Sequence, residues 1–111
     1  MKRIFVVLFL IMQVACTVKL ATPSQSDVER ISPKYPGYTL SELNDGKTLF
    51  EQTCNRCHRL KNPASRNETK WNKIVPKMIN KLNKKEGKTV IDEKQEELIL
   101  KYIVTMNSAS K

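Results

Sequence analysis

Histidine occurs once in these 111 residues, and glycine and cysteine three times each. One imidazole, His58, excludes zinc sites built on several histidines. The cysteines cannot make up the difference, because tetrahedral zinc needs four N/S ligands and Cys16 is remote in sequence from Cys54 and Cys57. Aromatic residues are also scarce, at three Phe, three Tyr and one Trp. None of them interleaves with the lysines as base stacking requires, so nucleic acid is not an expected partner. No uninterrupted apolar run approaches the ~20 residues of a membrane-spanning helix. No segment alternates apolar and polar residues convincingly enough for a strand, so an all-α chain is expected. Acidic residues number 11 against 20 lysines and arginines, a formal net charge of +9.

The chemistry that is present is concentrated in Cys54-Asn55-Arg56-Cys57-His58. A Cys-x-x-Cys-His run is the attachment pattern of c-type haem. Both thiols form thioethers to the porphyrin vinyl groups, and the two-residue spacer sets their separation. The adjacent imidazole is then held under the iron. A thioredoxin-like redox pair would need strand–helix–strand surroundings, whereas helical patterning flanks this motif. The expected cofactor is one haem c, covalently bound through Cys54 and Cys57, with His58 as an iron ligand.

The start of the chain predicts export. Lys2 and Arg3 precede nine uninterrupted apolar residues, Ile4 to Met12, which is the layout of a secretory signal over residues 1–15. The segment ends Val14-Ala15-Cys16, as at a bacterial lipoprotein cleavage site, although Gln13 stands where Leu is usual. Lipidation of Cys16 is expected, with a periplasmic, membrane-tethered product. It also settles the odd cysteine count, since two thioethers to haem and one to lipid use all three sulfurs. Residues 16–37 are poor in large apolar groups and carry several Pro and Ser. They read as a flexible tether spanning about 25 Å. Residues 38–111 form the single domain. A core of that size is meagre, so a buried apolar haem is expected to complete it and to make folding depend on it.

Three helices are predicted, with a fourth if the middle one breaks. The first runs from about Leu40 to Gln52, with Thr39 and Glu42 as a capping box. Gly46 in its middle costs about 1 kcal/mol relative to alanine, which implies close crossing by another helix. The last helix, about Glu93 to Met106, is capped by Asp92 and offers Leu98 and Tyr102 as contacts for Gly46 and Phe50. Between them, Trp71, Ile74, Val75, Met78, Ile79 and Leu82 match a helical stripe at every position. Ser65 and Glu68 could box its start, Pro76 should kink or split it, and Gly87 should stop it.

Gly46, Phe50, Cys54, Cys57 and His58, Pro63 soon after, and the closing Leu98-Ile99-Leu100-Lys101-Tyr102-Ile103 together resemble monohaem cytochromes c of the class I type. The block Trp71-Asn72-Lys73-Ile74-Val75-Pro76-Lys77-Met78 is similar to one found in short bacterial forms. The resemblance implies a small cytochrome c fold of three to four helices around one haem. It also implies Met78 as the sixth iron ligand beside His58, with Met106 and lysine the less favoured alternatives. His/Met ligation raises the reduction potential. Pro63 corresponds to a proline whose carbonyl accepts a hydrogen bond from the ligating imidazole, a contact that would make His58 a stronger donor. Trp71 would stack near a propionate or fill the core.

The implied function is one-electron transfer between Fe(III) and Fe(II) states, with no bond chemistry of its own and hence no enzyme activity. Arg56, Arg59, Lys61 and Arg66 lie in and just after the motif, and Lys70, Lys73, Lys77, Lys81, Lys84 and Lys85 line the polar side of the middle helix. Such a face would steer the domain to an acidic redox partner or to anionic lipid beside the anchor. Two other readings stay open. One is a haem subunit docked in a larger oxidoreductase. The other is an open-site haem sensor or peroxidase-like protein, which a chain with no second histidine is poorly equipped to be.

Overall fold

Within residues 20–54 and 61–109, which the computed structural model describes, the chain forms four α-helices and no strand. They are α1 Gln25–Ile31, α2 Leu40–Cys54, α3 Glu68–Glu86 and α4 Glu93–Ala109, with a short 3-10 turn at Pro63–Ser65.

Local sequence accounts for most helix ends. The Thr39 hydroxyl accepts from the Glu42 N–H (3.1 Å) while the Glu42 carboxylate accepts from the Thr39 N–H (3.0 Å), the expected capping box. Asp92 and Gln95 exchange the same pair of bonds at the start of α4. The α3 helix ends at Gly87, whose φ of 68° places it in the left-handed region that favours glycine. Its start differs from expectation. Asn67, not Ser65, caps α3 by accepting from the Lys70 N–H at 2.8 Å. Ser65 is already committed to the 3-10 turn, which opens with Pro63 and is capped by Asn62.

Pro76 neither splits the helix nor ends it, since α3 runs through it as one element. The residue is exposed, so the carbonyl that its missing N–H leaves unpaired is on the side open to water.

The core is the seam between α2 and α4, with α3 laid on α4. Gly46 makes the close crossing possible. A Cβ built there would lie 2.3 Å from the Leu98 carbonyl oxygen and 2.8 Å from Tyr102 Cβ. One turn on, Phe50 meets Tyr102 with ring centroids 5.3 Å apart. Leu43, Phe50, Ile99 and Ile103 are fully buried, each contributing about 1.5–3 kcal/mol of transfer free energy.

The segment expected as a flexible tether is packed in its described part. Leu20, Val28, Ile31 and Tyr38 belong to the same buried cluster as the domain core. The α1 helix rests on α4 and α2, and Arg30 donates to the Thr105 carbonyl at the end of α4 (2.9 Å). The prolines and serines dilute the apolar content of this stretch without removing it: Val28 and Ile31 lie three apart, on one side of a short helix. The folded unit therefore includes residues 20–37 and does not start at Tyr38.

Candidate functional site

The α2 helix ends on Cys54, the first residue of the Cys-x-x-Cys-His motif. Cys57 and His58, and likewise Cys16, lie outside the described residues. Cys54 follows Phe50 by one turn and is half-buried at the edge of the core. Facing it, α3 turns Trp71, Val75, Ile79 and Leu82 into the core and leaves Ile74 and Met78 half-buried. The apolar stripe is thus wider than the core it packs against, and its surplus edge faces Cys54.

Between these edges lies a cleft of about 430 Å³. Phe50, Trp71 and Ile74 give it apolar walls, Cys54 and Met78 bring sulfur to it, and Lys61 and Arg66 bring positive charge. A smaller cavity of about 30 Å³ also has Cys54 and Met78 in its wall, backed by Val75, Ile79 and Ile99. The larger volume falls within the ~300–1,000 Å³ of typical cofactor sites. A thiol, a thioether, aromatic walls and two cations form a donor set suited to an amphipathic, anionic, metal-bearing ring. Met106, the alternative sulfur, is buried at a separate hollow with Leu20, Pro63 and Tyr102.

Trp71 anchors one wall. It is buried, meets Phe50 edge-on (6.3 Å, 80°) and carries the Arg66 guanidinium 5.7 Å from its ring. Its indole N–H donates to the Pro63 carbonyl at 2.8 Å. The same carbonyl accepts from the Asn107 side-chain amide at 2.9 Å, and that amide also reaches the Arg66 carbonyl at 2.5 Å. A carbonyl oxygen has two lone pairs, and both are engaged here. The expected bond from the ligating imidazole to Pro63 involves His58, which lies outside the described residues. The Pro63 carbonyl ties the turn after the motif to α3 and to the end of α4.

Asn107 escaped the sequence reading. The only hint was a polar residue closing an apolar helical run, and such a residue is usually an exposed end. Here it is 5% exposed, because the turn at Pro63–Ser65 folds over it.

Burial raises the Tyr102 phenol well above its ordinary range, and the charge of Glu51 adds to the shift. Tyr38 is raised likewise, first by burial and then by Glu42. Both rings beside the core stay neutral at any physiological pH. Lys70, Lys73, Lys77, Lys81, Lys84 and Lys85 are all exposed along α3, and Lys81 also borders the smaller cavity beside Met78. Among the described residues no cluster of three or more His, Cys, Asp or Glu could hold a metal ion, and no helix is long and apolar enough to cross a membrane.

Comparison with family models, curated proteins and solved structures finds no match for this chain.

Proposed function

We propose that the chain is an exported electron-transfer cytochrome of the c type, with a small cytochrome c fold around one covalently attached haem. The supporting observation is that Cys54, first residue of the attachment motif, and Met78, twenty residues beyond His58 in sequence, border one apolar cleft. When bound, haem supplies a one-electron Fe(III)/Fe(II) couple. Cys54 and Cys57 hold it covalently, His58 ligates from the motif side, and Met78 offers a neutral, soft sulfur from α3. Phe50, Trp71 and Ile74 keep water from the ring, and exclusion of water favours the less charged ferrous state. Lys61 and Arg66 offset the negative charge of its carboxylates. The lysines of α3 steer an acidic redox partner toward the cleft. Cys16 carries the lipid that keeps the protein at a membrane facing the periplasm.

The test is the mass of the mature protein, produced with a haem-attachment system, together with its pyridine haemochrome spectrum. Polypeptide plus lipid plus one haem, and a two-thioether spectrum, are the expected results. A mature mass without haem refutes the proposal. Met78→Ala then reads the sixth ligand separately, through the ferric absorption spectrum and the reduction potential.

A further inference from the structure

The stretch from Leu20 to Tyr38 is built as a strap. Leu20, Val28 and Ile31 are 8%, 5% and 7% exposed. Arg30 is held by Asp27 (2.8 Å) and donates onward to the Thr105 carbonyl and the Ser108 hydroxyl (2.9 and 3.2 Å). Lys34 pairs with Glu68 on α3. Further along, the Lys101 ammonium lies 5.3 Å from the Tyr35 ring and 5.6 Å from Tyr38. The strap is thus fastened to both α4 and α3.

Its first described residue, Leu20, follows Cys16 by four positions. Whatever path the chain takes between them, four residues reach at most roughly 14 Å. Leu20 and Ala21 border a hollow with Asn62, Pro63 and Ala64, and Lys61 and Arg66, on either side of that turn, line the cleft. The α3 helix then runs away from the turn for 19 residues, a length of about 28 Å.

We propose that this strap, with a lipid on Cys16, ties the Pro63 end of the domain to the phospholipid surface and leaves the Gly87 end pointing away. The inference rests on the lipidation reading. It makes the anchor a short leash, so the domain does not swing freely, and the cleft mouth is held near the headgroups. A redox partner that reaches it is a membrane-resident protein whose acidic docking surface lies low, beside the bilayer.

The test uses the full, haem-loaded, lipidated protein on phosphatidylcholine/phosphatidylglycerol vesicles. Trypsin should release a fragment beginning at Leu20, with the bonds after Arg30 and Lys34 resistant. Val28→Asp should speed cleavage at those two bonds about tenfold or more, as local opening becomes easier. Equal cleavage in both proteins overturns the strap. A fluorophore on Ala64→Cys should be quenched by headgroup-labelled lipid several-fold more than one on Lys88→Cys; equal or reversed quenching overturns the orientation. Failure of the wild type to bind vesicles overturns the leash through the lipid reading. The haemochrome spectrum of the same sample reports separately on haem attachment.

Discussion

Replacing Gly46 by alanine sets two known effects against each other. In an exposed helix the change would stabilise by about 1 kcal/mol. Here the added methyl would stand 2.3 Å from the Leu98 carbonyl oxygen and 2.8 Å from Tyr102 Cβ. Neither atom is the far end of a flexible side chain. Relief requires α2 and α4 to part by at least ~0.7 Å, the shift that brings a 2.3 Å contact to the 3.0 Å below which real contacts are essentially never seen. Parting them disturbs the Phe50–Tyr102 pair and the fully buried Leu43, Ile99 and Ile103. Overpacking of a dense core costs ~1–3 kcal/mol, occasionally more, and a backbone obstacle puts this case at the upper end. The net expectation is a loss of about 1–2 kcal/mol, or a fall in Tm of roughly 4–15 °C for a domain this small. Thermal and urea unfolding of the haem-loaded protein measures it, with Thr48→Ala on the exposed side of α2 as the control, expected within about 0.5 kcal/mol of wild type. A Gly46→Ala protein as stable as wild type would refute the close crossing.

Other expectations can be checked alongside. Met78→Ala should leave haem attached, while its reduction potential falls and the ferric spectrum changes; an unchanged spectrum removes Met78 from the iron. Asn83 accepts from the Val90 and Ile91 amides and donates to the Ile91 carbonyl. Asn83→Ala should therefore cost about 1–3 kcal/mol through the groups left unpaired, read by urea denaturation. Asn107→Ala strips a donor from the Arg66 and Pro63 carbonyls. It should raise hydrogen exchange in residues 62–66 more than in α2. Burial alone would raise the Asp27 carboxyl, but hydrogen bonds from Arg30 and Ser24 and the guanidinium charge outweigh it, leaving the pKa lowered. A carboxyl depressed in the folded state stabilises above its unfolded pKa of about 3.9, and that contribution is lost as pH falls through the lower folded value. Exchange protection of α1 should therefore hold from pH 7 to 5 and begin to weaken only below about 4; loss already at pH 5 contradicts the Asp27–Arg30 clasp.

The three longer helices were readable because their determinants are local. A capping hydroxyl three residues before a glutamate, a glycine after two lysines and an apolar stripe at helical spacing each act within one or two turns. Even the partner of Gly46 could be named, since only a bare backbone explains a glycine at that cost, and Leu98 and Tyr102 lie one turn apart on the apolar stripe of the last helix. The strap was not readable. Two apolar residues on a seven-residue helix are too few to signal burial, and what fixes them is Arg30 reaching a carbonyl 75 positions away. The bonds from Trp71 and Asn107 to the Pro63 carbonyl were hidden for a related reason: sequence shows an acceptor but not which donors the fold delivers to it.

The sequence alone determined the three longer helices, the Cys-x-x-Cys-His motif and the sulfur-bearing residues eligible to serve it, because propensity, capping and covalent spacing are properties of neighbouring residues. Tertiary structure decided the rest. It placed Met78, and not Met106, opposite Cys54, gave the Pro63 carbonyl to Trp71 and Asn107, and fastened residues 20–38 to the body of the protein. Those outcomes depend on which surfaces meet when four helices bury their apolar faces, and side chains from distant parts of the chain set them together.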